Sequence, residues 1–140
     1  FLPFLSYPYA EMLTIMSAGS RLVHPRVPPG EALRRMGCRA YTRLAETKVG
    51  QLVFGAIGND VQRILMAGPR GYQLSSNFGT LTAEVAGDKR VLYHFRNMPC
   101  LLETYQVGII EGGLEAIKAH ATVKVDNVDL ANADMEITWE

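Results

Sequence analysis

The sequence lacks most of the features that place a protein in a specialised class. It has 2 cysteines among 140 residues, without paired spacing, which fits a reducing cytoplasm better than a disulfide framework. Its 14 basic and 14 acidic side chains give a net charge of zero, so no overall field attracts nucleic acid or an anionic membrane. No apolar run approaches the roughly 20 residues that a membrane span needs. We therefore expect a cytoplasmic protein that neither binds nucleic acid nor crosses a membrane.

Motifs for catalysis and metal binding are also missing. The sequence contains no Walker loop, dinucleotide fingerprint, HExxH motif or nucleophile elbow. Its three histidines, His24, His94 and His120, are too scattered for a zinc site, and neither cysteine joins them at ligand spacing. Because no pair of ionisable groups is forced together by its spacing, we predict that the protein is not an enzyme and holds no metal or other cofactor.

The chain has the length of one ordinary domain, and we treat residues 1–140 as one domain with a helical part, 1–78, and a sheet-containing part, 79–140. Its first five residues, FLPFL, are too apolar for a free terminus. They predict that native residues preceding Phe1 are missing from this sequence.

The segment 98–120 is the stretch around which the fold should be organised. Its apolar residues recur with helical period over most of the circumference, so a helix formed here must be covered on two sides. Gly108, Gly112 and Gly113 interrupt this predicted helix, and glycine is tolerated there where another backbone or a ligand comes close. Cys100 near its start is either a small buried side chain or a thiol made reactive by the helix dipole.

The first half of the chain predicts helices. Apolar residues recur at helical spacing over 7–23 and 30–47, an apolar helix follows over 48–57, and a short helix capped by Asn59 or Asp60 ends at Gly68-Pro69. The second helix places Arg35, Arg39 and Arg43 in a row. This row is either a solvated face paired with acidic neighbours or a binding surface for an acidic partner or phosphate group.

The second half changes to a period of two. Alternating residues over 80–85 and 91–96 predict a β-hairpin, and a second hairpin has strands around 123–125 and 135–139. One helix between two hairpins gives a four-stranded antiparallel sheet with the helix across one face. We therefore predict an α+β fold in which an N-terminal helical bundle precedes hairpin, helix and hairpin.

Several short motifs, in this order, resemble an uncharacterised paralogous family found in myxobacteria. They are Phe4-Leu5-Ser6-Tyr7-Pro8, Ala32-Leu33-Arg34-Arg35-Met36-Gly37, Phe95-Arg96 before a helix with Gly108 and Gly112, and Asp134-Met135-Glu136-Ile137-Thr138-Trp139. The order of elements is more distantly similar to the haem nitric-oxide/oxygen-binding (H-NOX) domains and the 4-vinyl-reductase-like ligand domains, which share a fold with small trafficking-complex subunits.

The resemblance to H-NOX domains implies haem only where their haem residues are present. Those proteins hold iron through a histidine on a helix ahead of the hairpin and clamp the haem propionates with a Tyr-x-Ser-x-Arg motif. This chain has only His24 in that region, and Tyr93-His94-Phe95-Arg96 has different spacing and no serine. We therefore expect no haem.

Two functions remain open. The first is a non-enzymatic sensory domain that binds a small apolar molecule between the central helix and the helical bundle. The second is a ligand-free module for dimerisation or protein binding, through the apolar N-terminal segment or the arginine row. The candidate ligand-binding residues are Met12, Met16, Tyr41, Tyr93, Phe95, Tyr105, Gly108 and Gly112; the candidate anion-binding residues are Arg35, Arg39 and Arg43.

Overall fold

A computed structural model describes residues 6–48, 51, 55 and 58–140, with no side chain described for residues 44 and 45. In the described ranges the first elements are the helices α1 (Tyr9–Val23), α2 (Pro29–Glu46) and α3 (Val61–Ser75). Strands β1 (Thr80–Gly87) and β2 (Arg90–Arg96) follow. A π-helical turn (Leu102–Gln106) leads directly into α4 (Val107–Glu115), and β3 (Ala121–Asp126) and β4 (Ala133–Trp139) complete the chain.

The four strands form one antiparallel sheet in the order β1-β2-β4-β3. The two strands of each predicted hairpin therefore pair with each other. In the middle of the sheet β2 pairs with β4, which joins the hairpins, and Tyr93 lies opposite Met135. The predicted α+β architecture of helices followed by hairpin, helix and hairpin is confirmed.

The core lies between the sheet and the helices that cover one of its faces. Alternate residues of β2 and β4 point inwards into the core. At most 1% of the surface of Val91, Phe95, Met135 and Ile137 is exposed. Leu114 of α4 packs against them and is also 1% exposed. Helix α4 is covered by the sheet on one side and by α2 on the other, as the apolar pattern of 98–120 predicts.

The helix within 98–120 is shorter than the sequence predicts. Residues 98–101 form a tight turn in which the Cys100 N–H donates to the Met98 carbonyl at 2.7 Å. Leu101 then adopts a left-handed conformation with φ 54° and ψ 52°, which no regular helix accommodates. The helix begins only after this residue, and Lys118, with φ 61°, has already left it.

Helix α3 is longer than predicted. Asp60 caps it by accepting a hydrogen bond from the Arg63 N–H at 3.0 Å, as expected. However, the helix continues through Gly68-Pro69, where the prediction of a stop is wrong. Pro69 has no N–H to give to the carbonyl of Leu65, four residues earlier. The Tyr93 hydroxyl of β2 donates to that carbonyl at 2.5 Å instead, so the sheet supplies the hydrogen bond that the proline removes.

The other predicted helices differ less. The two expected over 7–23 and 30–47 are present as α1 and α2, with ends within two residues of the predicted ones. The helix predicted over 48–57 lies almost entirely outside the described residues. Within the described residues, no helix is both long enough and apolar enough to cross a bilayer.

The outer face of the sheet is polar and carries one dense group of charges around Asp134. Its carboxylate accepts hydrogen bonds from Asn127 at 2.8 Å and from Arg96 at 2.6 Å. The Nδ1 atom of His94 lies 2.7 Å from the same carboxylate, and its Nε2 lies 3.6 Å from Glu84. The contacts with Asn127, His94 and Arg96 hold the pKa of Asp134 well below its ordinary value.

We expect Asp134→Asn to lower the free energy of unfolding at neutral pH. Since folding depresses the pKa of Asp134, its ionised form stabilises the fold above the unfolded-state pKa of about 3.9, and this contribution is lost as the pH falls towards the folded-state pKa. The stability difference between wild type and variant should therefore shrink below about pH 4. Urea unfolding at neutral and acidic pH measures it.

Asp126→Asn is the matched control, because Asp126 is exposed on the same face and pairs only with Lys124 among the described residues. It should change stability much less at every pH. An Asp134→Asn variant that follows the wild-type pH profile would show that this network does not stabilise the folded state.

Candidate ligand site

Helices α2 and α4 touch main chain to main chain along a seam of three glycines, Gly37, Gly108 and Gly112. A Cβ atom built on Gly108 would lie under 3.0 Å from the Arg34 carbonyl, and one on Gly112 under 3.0 Å from the Cys38 backbone. Real Cβ atoms essentially never approach so closely. The space beside Gly108 and Gly112 is therefore occupied by α2 itself.

An ion pair and a thiol border this glycine seam. The Arg34 guanidinium donates to both carboxylate oxygens of Glu111, with Nε at 2.7 Å from Oε2. Cys38 is half-buried, and burial, followed by the charge of Glu111, raises the pKa of its thiol. A raised pKa reduces the fraction of nucleophilic thiolate at neutral pH, so Cys38 suits a structural role.

The other candidate ligand residues are distributed over four places. Tyr93 and Phe95 lie in the core with ring centroids 6.0 Å apart. Tyr41 packs beside Gly113, close enough to Tyr93 for its charge to influence that phenol. Met12 is exposed and Met16 half-buried on α1. The remaining one, Tyr105, belongs to the π-helical turn and lies near Tyr9.

The arginine row of α2 is exposed, and two of its three members have acidic partners. Arg35 donates to Glu31 at 2.7 Å, and Arg43 donates to Glu46 at 3.3 Å. Among the described residues Arg39 forms no ion pair. Counting only the side chains that the structure describes, Arg39 is the member of the row without an acidic partner.

A group of phenols around a buried thiol forms where α1 begins, α3 ends and the π-helical turn starts. We call Tyr9, Tyr72, Phe78 and Cys100 the phenol–thiol cluster. The Tyr72 hydroxyl lies 3.4 Å from the Cys100 sulfur, and Tyr9 is close enough to Cys100 for that side chain to raise the pKa of the Tyr9 phenol. The Phe78 ring contacts both tyrosines, with centroids 4.9 Å from Tyr9 and 6.4 Å from Tyr72.

Local backbone geometry brings these four residues together. Cys100 lies in the tight turn before Leu101, whose left-handed conformation directs the chain into a π-helical turn. Both features are costly for an L-residue chain, and π-helical turns and left-handed residues are frequently found at functional sites. Tyr72 and Phe78 flank the end of α3, while Tyr9 is the first residue of α1.

Burial keeps the two phenols of the phenol–thiol cluster neutral. The pKa values of Tyr9 and Tyr72 are raised well above the ordinary phenol value, mainly by burial and secondly by the Cys100 side chain. Both hydroxyls therefore stay protonated at neutral pH and act as hydrogen-bond donors. The Ser76 hydroxyl lies close enough to Tyr72 to lower the pKa of that phenol. However, Ser76 Oγ is buried and makes no hydrogen bond of ordinary geometry.

The hydroxyl, thiol and ring groups of this cluster are of the kind that can contact a neutral molecule. Two phenol donors and a polarisable sulfur converge within aromatic walls, and Cys100 is 1% exposed. Apolar pockets with a few convergent polar groups are the common form of small-molecule sites. A ligand with an apolar body and one acceptor atom could replace sulfur as the partner of the hydroxyls.

Sequence reasoning singled out Cys100 and Tyr105 but missed Tyr9, Tyr72 and Phe78 as members of one site. Their positions along the chain are far apart, and no local spacing relates them. Tyr72 falls beyond the predicted end of its helix, so the error at Pro69 also concealed its position. A continuous helix through Pro69 would have placed Tyr72 on the same face as Leu65, seven residues earlier.

The resemblance to H-NOX domains implies a histidine ligand for haem on a helix ahead of the hairpin. Helix α3, which precedes the hairpin, contains no histidine, and its contact with the sheet is filled by Tyr93 against Leu65 and Gly68. His24 ends α1, and its Nε2 is buried without a hydrogen-bond partner, but it lies at the α1–α2 turn. Within the part of the chain that the structure describes, no three His, Cys, Asp or Glu side chains gather around a common metal position.

The architecture is similar to that of solved H-NOX structures. An H-NOX domain from Shewanella oneidensis in an Fe(II)CO ligation state is 11% identical and has a TM-score of 0.80 over 100% of this chain and 80% of that chain. An H-NOX protein from S. oneidensis in the Fe(II)NO state is 10% identical, with a TM-score of 0.75 over 100% and 80% of the two chains. A mutant H-NOX protein from T. tengcongensis is 16% identical, with a TM-score of 0.73 over 99% and 78%.

These identities establish similarity of fold alone. No curated protein matches the chain. A family model described as "Protein of unknown function (DUF2378)" matches residues 1–140. The chain therefore belongs to the DUF2378 family, and it has an H-NOX-like fold.

Proposed function

We propose that this protein is a sensory domain that binds a small, neutral, largely apolar molecule at the phenol–thiol cluster. The observation that supports this most is the contact of the Tyr72 hydroxyl with the buried Cys100 sulfur, beside the Tyr9 and Phe78 rings. The H-NOX neighbours, solved in Fe(II)CO and Fe(II)NO ligation states, supply a fold precedent for small-ligand binding. The ligand of this chain would be held by side chains and not by haem.

The same cluster argues against catalysis. Its phenols are held in the protonated form, so they donate hydrogen bonds and are poor general bases. An activated nucleophile needs an adjacent base, and within the described residues no histidine or carboxylate is hydrogen-bonded to Cys100. We infer a binding protein without enzymatic activity, and its two free cysteines fit a cytoplasmic location.

Native mass spectrometry of protein purified from cells, followed by solvent extraction, tests the proposal. We expect a bound mass on the wild type that is reduced or lost in Tyr72→Phe and Cys100→Ala, since each variant removes one polar contact of the cluster. Tyr7→Phe is the matched control because Tyr7 is exposed, and it should retain the bound mass. The losses must occur in variants that remain folded by circular dichroism.

If all three variants retained the same bound mass, the ligand would bind elsewhere. If the wild type carried no bound mass and bound no added apolar ligand, the proposal would be contradicted. A second function, a ligand-free interaction module, is favoured by the apolar surface of α1, where Leu22 is 82% exposed. That function predicts oligomer mass alone in the same measurement.

A further inference from the structure

Helix α1 carries apolar side chains beyond the side that packs on α2. One side faces α2, with Ser20 at 1% exposure. The other side faces solvent and carries Met12, Ile15 and Leu22, which are 46%, 50% and 82% exposed. Contiguous exposed apolar side chains on a helix are typical of a surface that another helix covers.

A shallow groove runs beside these exposed side chains. It has a volume of about 420 Å³ and is lined by Leu13, Thr14, Ser17, Ala18 and Arg21. Three of these residues are small, so a second helix could approach the backbone of α1 closely there. Helices that pack with small residues at the contact lie at the short end of the usual 8–10 Å separation.

The charges on α1 are self-complementary. Its only charged residues are Glu11 near the start and Arg21 near the end, about 15 Å apart along the helix. Neither forms an ion pair with another residue that the structure describes. In two antiparallel copies related by a two-fold axis at Met16, Glu11 of each helix lies level with Arg21 of the other. Thr14 and Ala18 then lie opposite each other beside the axis.

We propose that α1 binds α1 of a second copy of this chain in an antiparallel, two-fold symmetric pair. Two-fold interfaces use the same patch on both subunits, which requires that the patch complement itself. The opposite charges at the two ends of α1 meet this requirement and favour a second copy over an unrelated helix. A contact centred on one helix of about 22 Å is small, so we expect a weak, reversible dimer. This proposal does not depend on ligand binding.

Charge reversal provides the test, with sedimentation equilibrium as the measurement. Glu11→Arg and Arg21→Glu should each raise the dimer dissociation constant about tenfold, because each places two like charges together at both ends of the contact. The double variant, Glu11→Arg with Arg21→Glu, restores opposite charges and should return the dissociation constant to near the wild-type value. Only a self-pairing, antiparallel α1 predicts this rescue.

Ile15→Glu should abolish the dimer, whereas Leu130→Glu should leave it unchanged. Leu130 is the matched control because it is 94% exposed and apolar but belongs to the β3–β4 loop. Circular dichroism of each variant confirms that α1 stays folded. A wild-type monomer at every concentration, a dimer insensitive to Ile15→Glu, or a double variant as weak as the single ones would overturn the proposal, as would α1 pairing only with a different protein.

Discussion

Gly112→Ala should lower the free energy of unfolding by about 3 kcal/mol, the upper part of the usual range for overpacking a close contact. A Cβ at this position would meet the carbonyl oxygen, Cα and carbonyl carbon of Cys38, all under 3.0 Å away. Main-chain atoms cannot rotate aside as a side chain can, so α2 and α4 must separate. Chemical unfolding monitored by circular dichroism measures the change.

Gly71→Ala is the matched control for this substitution. Gly71 also lies inside a helix, but nothing surrounds the position of its Cβ within 4 Å. Here alanine should raise the free energy of unfolding by about 0.5–1 kcal/mol, because it restricts the unfolded chain without a clash. Equal effects of the two substitutions would mean that α2 and α4 are not in main-chain contact.

Tyr93→Phe should lower the free energy of unfolding by about 1–3 kcal/mol, the cost of leaving a buried acceptor without its donor. The acceptor is the Leu65 carbonyl, which Pro69 cannot serve because it has no N–H. The measurement is again chemical unfolding, with the slope of the transition compared to check that the folded state is retained.

Pro69→Ala provides a specific check on this explanation. Alanine restores an N–H that can donate to Leu65 within the helix, so Tyr93→Phe should cost clearly less in the Pro69→Ala background than in the wild type. Additive effects in this double-mutant cycle would show that the hydroxyl and the proline act independently.

Gly68→Ala should also be less harmful when the Tyr93 hydroxyl is absent, because its Cβ would otherwise contact that oxygen.

Local patterns were sufficient to predict the strands and their pairing within each hairpin, but not the β2–β4 pairing that joins the hairpins. Val91, Tyr93 and Phe95 alternate with Leu92, His94 and Arg96, and this period of two indicates an extended strand with one buried face. The central helix was equally predictable, because its apolar circumference leaves burial between two layers as the only arrangement. Its glycines indicated a close neighbour, and that neighbour is α2 along the glycine seam.

Features that depend on contacts distant in sequence could not be predicted in this way. Pro69 normally ends a helix, and only a tyrosine on a strand more than twenty residues away allows α3 to continue. The phenol–thiol cluster has the same character, since Tyr9 and Cys100 are brought together by the whole fold. The central helix starts after Leu101, which is left-handed, and a leucine in the sequence gives no indication of that conformation.

The glycine seam also determines which parts of the protein can move. Two helices in main-chain contact have no layer of side chains that could rearrange between them, so α2 and α4 must shift together or not at all. Helix α1 is attached differently, through side chains on α2 and through Tyr9 at its first turn. A molecule that displaced Tyr9 would therefore free the first turn of α1, whose outer surface faces the solvent. The rest of the domain would stay rigid.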